Sequence, residues 1–310
     1  MLTASTFKNR RKYMKTYLIT GSTSGLGLEI VKNLAKNKEN RVIMAIRNLN
    51  RGREITRETG SNVEAVQLDL SQLSNIRQFI QKWDTQIDGL INNAGVQFVD
   101  HTKFTPDGYE ETIAVNHLAA FMLTIGLQPY IKKEGRILFI GSGTHNPNYP
   151  YGKMYGFRGA QYTSIDELLR GKSGAGNTKQ KNLDRYATSK FLNTITAVEL
   201  SKRFKNTSSY VLDPGLMPGT GLARRQNKII QFLWRNIMPA MRFLLPDTSS
   251  TKKSAGAAAW IMTTPHIQNK PGTVFSYNKK PSVYVWKDNV FDEKIGAAIY
   301  EDSMKVIGEF

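Results

Sequence analysis

Between a short apolar run and an amphipathic segment, the chain reads Thr20-Gly21-Ser22-Thr23-Ser24-Gly25-Leu26-Gly27. The apolar run is Tyr17-Leu18-Ile19, and residues 26–34 carry apolar side chains at helical spacing. This order predicts a strand, a glycine-rich turn and the first turn of a helix. Glycines let a backbone approach a charged group closely, and a helix N-terminus offers free N–H groups to a phosphate. The expected phosphate contacts are Gly21, Ser22, Ser24, Gly25, Leu26 and Gly27.

Many loops contain three glycines, so the turn gains its meaning from the pattern that follows it. Short apolar runs alternate with helical patterns from residue 15 to about residue 215. The predicted strands are Thr16–Thr20, Arg41–Ile46, Val63–Leu68, Gly89–Ile91, Arg136–Ile140 and Ser209–Leu212. The predicted helices cover about 25–37, 49–58, 72–84, 107–133 and 184–205. Such alternation predicts an α/β fold with a doubly wound, mostly parallel, Rossmann-like sheet and helices on both faces.

The remaining chain fits the same single domain. A helix is expected over Ser249–Thr263, a strand that extends the sheet edge around Val274–Tyr277, and an outer helix at about 290–308. Since no internal repeat or long low-complexity linker occurs, residues 15–310 are predicted to form one domain. Residues 1–14 are interpreted as a flexible basic tail, with a cleaved organelle-targeting segment as the alternative.

Composition excludes several classes of function. The 310 residues include no cysteine, which excludes disulfides, thiolate metal sites and cysteine nucleophiles. The net charge of +18 is spread along the chain without a nucleic-acid-binding module, so no nucleic-acid partner is expected. No apolar run reaches eighteen residues, so the protein is expected to be intracellular and either soluble or peripherally membrane-associated. The sequence leaves open the organelle and the oligomeric state, including a homo-oligomer.

The end of the second predicted strand indicates which dinucleotide would bind. An acidic residue at this position bonds the ribose 2′-hydroxyl of NAD, whereas an arginine accommodates the 2′-phosphate of NADP. Here the strand ends in Arg47, and the first carboxylate after it is Glu54. Arg47 therefore favours NADP(H), and Arg51 is a second candidate. The alternative is a surface arginine at a strand end.

Two further strand ends carry polar residues. Asp69, followed by Leu70, ends the third strand, where its carboxylate could accept a bond from an adenine amino group or cap the next helix. The run Asn92-Asn93-Ala94-Gly95 follows the fourth strand, where Asn93, Ala94 and Gly95 could line a ribose or form an ordinary turn. Both readings remain open from the residues alone.

A serine, a tyrosine and a lysine are expected to share the same rim of the sheet. Ser142 follows the fifth strand, and Tyr186 and Lys190 stand one turn apart on a helix that they are expected to open. A lysine cation near a phenol lowers the pKa of the phenol, which prepares it for proton transfer near neutral pH. With a nicotinamide, this set suits hydride transfer at a carbonyl or alcohol carbon without a metal. Asn116, inside an otherwise apolar helical pattern, indicates a kink or a bound water.

At this point the chain resembles the short-chain dehydrogenase/reductase family. The resemblance covers about 200 residues in the order of the family. The matching elements are Thr20-Gly21-x3-Gly25-x-Gly27, Asp69, Asn92-Asn93-Ala94-Gly95, Asn116, Ser142, Tyr186-x3-Lys190 and Pro214-Gly215.

The resemblance implies a role for each residue of this set. Tyr186 would be the catalytic acid/base, and Lys190 would lower its pKa and bind the nicotinamide ribose. Ser142 would orient the substrate oxygen, and Asn116 would hold a water that links Lys190 to solvent. Pro214-Gly215 would lie against the nicotinamide.

Looser similarity extends to the branch that contains retinol dehydrogenases and light-dependent protochlorophyllide reductases. It rests on residues 42–47, 104–110, 116–118 and 272–278. Forty-four positions separate Ser142 from Tyr186, far more than the family commonly needs, so residues 143–185 are predicted to form a substrate-facing insert.

Protochlorophyllide reductases carry a similarly placed insert. They also carry a cysteine just after the Pro-Gly pair, where this chain has Leu216. The threonine of the family after Pro-Gly is displaced by one position, to Thr220.

A second variable segment, 222–245, is rich in Trp, Met, Phe and interspersed arginines. It is interpreted as a lid over a bulky apolar substrate. The alternatives are a peripheral membrane contact or a helix packed on its own domain.

These features together predict an NADP(H)-dependent oxidoreductase that acts on a hydrophobic carbonyl or alcohol. Reduction of a C=C bond in a tetrapyrrole-like substrate is an alternative. A catalytically idle dinucleotide sensor on the same fold is the alternative from another class of function.

Overall fold

Seven parallel strands form one sheet in the order β3-β2-β1-β4-β5-β6-β7. The computed structural model describes residues 15–217, 247–265, 267, 271–281 and 293–309. The tail predicted at 1–14 and the segment 222–245 lie outside the described residues. The strands are β1 Lys15–Thr20, β2 Asn40–Ile46, β3 Val63–Gln67, β4 Ile87–Asn92, β5 Ile131–Ile140, β6 Ser208–Asp213 and β7 Val274–Ser276. The predicted doubly wound parallel sheet is confirmed, and β7 extends its edge beside β6.

Helices follow the strands on both faces of the sheet. The helices are α1 Gly25–Ala35, α2 Leu49–Thr59, α3 Leu73–Gln81, α4 Glu111–Ile113, α5 Ala119–Leu127, α6 Pro150–Met154, α7 Ile165–Leu169, α8 Thr178–Arg203, α9 Thr251–Thr263 and α10 Glu293–Ile307. A π-helical turn, Ala114–Leu118, joins α4 to α5, and short 3₁₀ turns cover Gln128–Tyr130 and Gly143–His145.

Two hydrophobic cores lie against opposite faces of the sheet. In β1, Leu18 packs into one core while Tyr17 and Ile19 pack into the other, as side chains alternate along a strand. Helices α5, α8 and α10 cover the first face, and α1 and α9 cover the second. Because both faces are covered, the strands read as near-continuous apolar runs.

Two helices differ from their predicted bounds. The helix α8 begins at Thr178, where the Asn177 side chain caps it by accepting from Gln180 N at 3.0 Å. Tyr186 therefore lies in the interior of the helix, and the expectation that it opens the helix was wrong. The single helix expected over 107–133 is shorter, because Phe104 and Glu110 pair in a bridge before it and residues 131–133 belong to β5.

One buried amide fixes the turn between α1 and β2. The Asn62 side chain donates to the carbonyls of Ala35, Asn37 and Asn40 at 3.2, 3.2 and 3.0 Å. Asn62 thus holds three turn carbonyls from the start of β3.

We predict that Asn62→Ala lowers the free energy of unfolding by about 2 kcal/mol, because three carbonyls lose a buried donor. Urea denaturation followed by circular dichroism measures this loss. Asn33→Ala, which removes two bonds of a half-exposed side chain, one of them from an exposed lysine, should cost less than about 0.5 kcal/mol. Equal losses in the two variants would contradict the role of Asn62.

Candidate active site

A cavity of about 890 Å³ opens at the carboxyl ends of the strands. It lies where the strand order reverses between β1 and β4, the place where open α/β sheets bind ligands. Most residues predicted from sequence to contact a cofactor or substrate line this one cavity. They are Gly21, Ser24, Gly25, Leu26, Gly27, Arg47, Asp69, Leu70, Asn93, Ala94, Gly95, Ser142, Tyr186, Lys190, Pro214 and Gly215.

Two predicted residues, Ser22 and Asn116, do not line the cavity, and both are fully buried. The Ser22 hydroxyl donates to Ile19 O at 3.5 Å. Asn116 lies on the π-helical turn, where its amide oxygen accepts from Val96 N at 2.7 Å. Its amide nitrogen donates to Val96 O at 2.9 Å and to Ser189 Oγ at 3.0 Å. The interior asparagine thus coincides with an irregular helical turn, as its sequence context indicated.

The glycines of the first turn make close approaches that a side chain would block. Gly21 has a φ of +64°, and a Cβ there would lie 2.6 Å from the Cα of Ala94. A Cβ on Gly27 would lie 2.4 Å from the Asn93 amide nitrogen. Gly25 also has a positive φ, +57°, but a Cβ there would meet no atom within 4 Å. Gly21 and Gly27 are therefore required by packing, whereas the space beside Gly25 is open.

The ends of β1 and β4 are tied together by hydrogen bonds. The Thr20 hydroxyl accepts from the backbone N–H groups of Asn93 and Ala94 at 3.1 and 3.0 Å. In return the Asn93 amide donates to the carbonyls of Thr20 and Gly21 at 2.9 and 3.0 Å. This exchange fixes the glycine turn against the turn that follows β4.

The N-terminus of α1 faces the cavity without a capping side chain. Ser24 stands at the N-cap position and makes no side-chain cap bond. The first N–H groups of a helix have no intrahelical partner, and they carry the positive end of the helix dipole. With open space beside Gly25, this geometry suits a phosphate.

Arg47 is exposed at the end of β2 and lines the cavity. Arg51 also lines it, but its guanidinium pairs with Glu54 at 2.7 Å. Within the described part of the chain, no hydrogen bond or ion pair engages the Arg47 guanidinium.

Asp69 does not cap the following helix. Its carboxylate accepts from the N–H and hydroxyl of Ser71 at 2.9 and 2.7 Å. Gln72 occupies the N-cap position of α3, and the Asp107 carboxylate accepts from Leu73 N at 2.8 Å. Asp69 therefore stabilises a turn that lines the cavity. The first N–H of α3 is satisfied by Asp107 instead.

Ser142, Tyr186 and Lys190 meet at the opposite side of the cavity. Tyr186 and Lys190 are 9% and 4% exposed, so both are almost enclosed by protein. The Lys190 ammonium donates to Ile140 O at 3.0 Å and lies 5.6 Å from the centre of the Tyr186 ring. The Ser142 hydroxyl accepts from Thr144 N and Oγ1 at 3.3 and 3.1 Å.

Burial dominates the acid–base properties of this pair. It lowers the pKa of Lys190 to about 8, and the negative charge of Asp213 opposes that shift. Burial also raises the pKa of the Tyr186 hydroxyl, with Asp213 acting in the same direction. The lowering of the Tyr186 pKa that was expected from Lys190 is thus not found, because desolvation of the phenolate and the charge of Asp213 both raise this pKa.

Asp213 was missed by sequence reasoning although it lines the cavity. Its carboxylate accepts from Gly215 N at 3.1 Å, and burial together with the neighbouring Asp247 raises its pKa to about 6. The one available signal was an acidic residue at a strand end, directly before Pro214.

The predicted insert, residues 143–185, contains α6, α7 and the first turns of α8. Aromatic residues of the insert line the cavity: Tyr149, Tyr151, Tyr155 and Phe157. The insert is fixed to α8 by a fork of Arg158 on Asp184, with Nε–Oδ1 and Nη2–Oδ2 distances of 3.0 and 2.6 Å. The insert therefore forms an aromatic wall beside Ser142 and Tyr186.

The described residues contain neither a metal-binding cluster nor a membrane-spanning helix. In this part of the chain, no group of three or more His, Asp or Glu side chains could hold a metal ion. Within the same ranges, no helix is both long and apolar enough to cross a membrane.

The first half of the chain matches a family model, and known proteins match most of its length. Residues 15–157 match the family described as short chain dehydrogenase. The chain is 27% identical to the chloroplastic protochlorophyllide reductase of Chlamydomonas reinhardtii, over 95% of this chain and 78% of that protein.

Solved structures share the fold. A 3-ketoacyl-(acyl-carrier-protein) reductase from Brucella melitensis, complexed with NADH, is 19% identical with a TM-score of 0.60, covering 85% of this chain and 96% of that one. A short chain dehydrogenase from Shigella flexneri, complexed with NADP, is 21% identical with a TM-score of 0.59, covering 86% and 97%.

We predict that Gly21→Ala is more destabilising than Gly25→Ala. Both substitutions place a Cβ on a backbone with positive φ, which costs about 1 kcal/mol. Only the Gly21 substitution also drives an atom into Ala94, so it should cost about 1–3 kcal/mol more. Chemical denaturation of the two variants checks the difference, and equal stabilities would contradict the packing of the turn.

Proposed function

Because the chain belongs to the short-chain dehydrogenase/reductase family of oxidoreductases, we propose that it transfers a hydride between NADP(H) and a bulky hydrophobic carbonyl or alcohol. One observation carries the proposal. The glycine turn, Arg47, Ser142, Tyr186 and Lys190 all line the same cavity. A single ligand in that cavity can therefore reach both the phosphate-binding end and the proton-transfer end.

The cavity fits a dinucleotide in three respects. The uncapped N-terminus of α1, with open space at Gly25, is suited to a pyrophosphate. Asp69 lies at the end of β3, where its second carboxylate oxygen can accept from an adenine amino group. Gly95 lines the cavity after β4, so a ligand meets backbone without a side chain at this position. These features support a nicotinamide dinucleotide as the cofactor.

Arg47 supports NADP(H) over NAD(H). Its exposed guanidinium stands at the strand end that selects between a ribose hydroxyl and a phosphate. A guanidinium forms strong, charge-assisted hydrogen bonds with phosphate oxygens. The first carboxylate after Arg47 in the sequence, Glu54, is engaged by Arg51.

Bound at this site, a nicotinamide would supply or accept the hydride. Residues of the chain would donate the proton and bind the substrate oxygen. The Tyr186 hydroxyl, protonated at neutral pH because burial raises its pKa, would donate a proton to the oxygen of a carbonyl. Ser142 would hold that oxygen, and the Lys190 ammonium, anchored on Ile140 O, would contribute positive charge beside the phenol.

Asn116 would support this set through the backbone rather than by contact with the ligand. The hydrogen bonds of its side chain all go to Val96 and Ser189. It would therefore fix the turn after β4 against α8. Pro214 and Gly215 would close the cavity on the side of β6.

The aromatic wall supports a bulky apolar substrate. Tyr155 and Phe157 line the cavity beyond Tyr186, and the Phe157 ring lies 6.0 Å from the Tyr186 ring. Val99, Val115 and Leu183 add aliphatic surface. Pockets lined in this way bind apolar ligands and orient them with few polar groups.

A second candidate is the reduction of a C=C bond in a tetrapyrrole-like substrate. The 27% identity to a protochlorophyllide reductase over 95% of the chain favours it. The absence of cysteine from the sequence, with Leu216 after the Pro-Gly pair, favours the carbonyl or alcohol reaction. Assays with retinoids, steroids, quinones and protochlorophyllide, with NADPH in darkness and in light, separate the two candidates.

We predict that Tyr186→Phe lowers kcat by about 10²–10⁴-fold, because the proton donor is removed while the ring is kept. The dissociation constant of NADPH, followed by its fluorescence, should stay within about threefold of the wild-type value. Full activity of Tyr186→Phe would contradict the role of Tyr186 as the proton donor. Turnover by neither protein, with NADPH still bound, would favour a dinucleotide sensor.

Substitution of Arg47 tests the choice of cofactor. Arg47→Asp should weaken NADPH binding about 10–100-fold, because a charge-assisted bond to the 2′-phosphate is replaced by repulsion. NADH binding should change little. Arg57→Asp alters the net charge equally at an exposed site of α2 outside the cavity, and it serves as the control. An unchanged preference for NADPH in Arg47→Asp would remove Arg47 from this role.

A further inference from the structure

We propose that Asp213 is a positioning residue whose negative charge holds Lys190 as an ammonium and Tyr186 as a neutral phenol. The inference rests on the proposed function, since it assigns the state in which the proton-transfer pair enters the reaction. Asp213 adds a third ionisable group to Tyr186 and Lys190. It lies at the end of β6, whereas the other two lie on α8.

The position of Asp213 follows from the pairing of β5 with β6. Ile140, at the end of β5, stands in register with Leu212, so Asp213 emerges beside the turn that carries Ser142. The backbone N–H of Gly215 donates to the Asp213 carboxylate at 3.1 Å, and the N–H of Gly143 lowers the pKa of the same carboxyl group. A Cβ on Gly143 would lie 3.1 Å from Asp213 Oδ2, so a glycine permits this close approach. The carboxylate is thus fixed between the turns that follow β5 and β6.

The Lys190 ammonium is held at the same two strand ends. It donates to Ile140 O, the carbonyl that directly precedes the turn containing Gly143. Asp213 and Lys190 form no ion pair within 4 Å among the described contacts, so the carboxylate acts on the lysine through its field. In a buried site with a low effective dielectric, such a field remains strong over several ångströms.

The electrostatics agree in sign with this geometry. The charge of Asp213 raises the pKa of Lys190, against the effect of burial. It also raises the pKa of Tyr186, in the same direction as burial. Lys190 in turn lowers the pKa of Asp213, as do the N–H groups of Gly143 and Gly215. Burial prevails and leaves the pKa of Asp213 at about 6.

Other ionisable groups also face Asp213. Asp247 raises the pKa of Asp213 by repulsion. The Asp247 carboxylate accepts hydrogen bonds from the hydroxyls of Tyr149 and Tyr277, and both tyrosines have pKa values raised first by burial. These two phenols stay neutral, so Asp247 is the one further anion in this group of neighbours.

The pKa values of Asp213 and Lys190 define a pH range in which both groups are charged. Above about 6 Asp213 is ionised, and up to about 8 Lys190 keeps its proton. Between these values the carboxylate and the ammonium are both charged, and Tyr186 retains its proton. In this state Tyr186 carries the proton that carbonyl reduction requires.

The test reads the ionisation of Lys190 directly. Trace labelling with acetic anhydride over a range of pH, followed by peptide mass spectrometry, reports the fraction of neutral lysine at each position. The wild-type protein should show a Lys190 inflection near 8, with exposed Lys38 as the internal reference. Asp213→Asn removes the negative charge, so the Lys190 inflection should move to lower pH by about 1 unit.

Two further variants serve as controls for Asp213→Asn. Asp247→Asn removes the neighbouring anion and should leave the Lys190 inflection near 8, because Asp213 is ionised there in either protein. Asp213→Ser, also neutral, should reproduce the shift of Asp213→Asn, and it replaces that variant if the asparagine does not fold. Thermal melts establish folding before labelling.

The outcomes separate this inference from the proposed function. An equal Lys190 inflection in wild type and both neutral Asp213 variants overturns the inference, even if the wild-type protein turns over carbonyl substrates. A shift confined to the Asp213 variants supports it. Where turnover is measured, the alkaline limb of kcat/KM for carbonyl reduction should move to lower pH with the labelling curve, and a limb that does not move overturns the inference.

Discussion

The contact between the ends of β1 and β4 is the constraint on which the site depends. Four hydrogen bonds cross this junction, made by Thr20 and Gly21 on one side and by Asn93 and Ala94 on the other. Gly21 lies so close to Ala94 that no larger residue fits. The junction is also the point at which the strand order reverses, so fixing it opens the crevice above the sheet. Every other part of the site is positioned relative to that crevice.

The proton-transfer residues reach the crevice from the other half of the sheet. Helix α8 packs on β6 and presents Tyr186 and Lys190 to the cavity, while β5 delivers Ser142 at its end. Burial shifts the pKa values of Tyr186 and Lys190 in opposite directions, since it disfavours both the phenolate and the ammonium. A buried carboxylate restores the charge of the lysine without favouring the phenolate. Asp213 meets that requirement by its place on β6.

The sequence predicted the sheet and its strands, and all but two of the predicted site residues line the cavity. Local patterns sufficed there, because the apolar runs and the turns after them are encoded by adjacent residues. Ser22 shows the limit, since it belongs to the glycine-rich motif yet points into the core. The start of α8 was misplaced because it depends on a single capping asparagine, Asn177, ahead of the apolar pattern.

Asp213 and the sign of the Tyr186 pKa shift required the three-dimensional structure. Asp213 acquires its neighbours from the pairing of β5 with β6 and from Asp247, thirty-four positions later in the chain. The effect of Lys190 on Tyr186 looked decisive from their spacing alone. Desolvation of the phenolate, which no local pattern reports, raises the pKa of Tyr186 instead.

The central claim is that one cavity holds the cofactor phosphates at the glycine turn and the nicotinamide at Tyr186. A crystal structure of the protein with NADP⁺ tests it most directly. The account predicts the pyrophosphate at the N-terminus of α1, the 2′-phosphate beside Arg47 and the nicotinamide between Tyr186 and Pro214. A dinucleotide bound elsewhere, or in this cavity with its nicotinamide remote from Tyr186, would contradict the account.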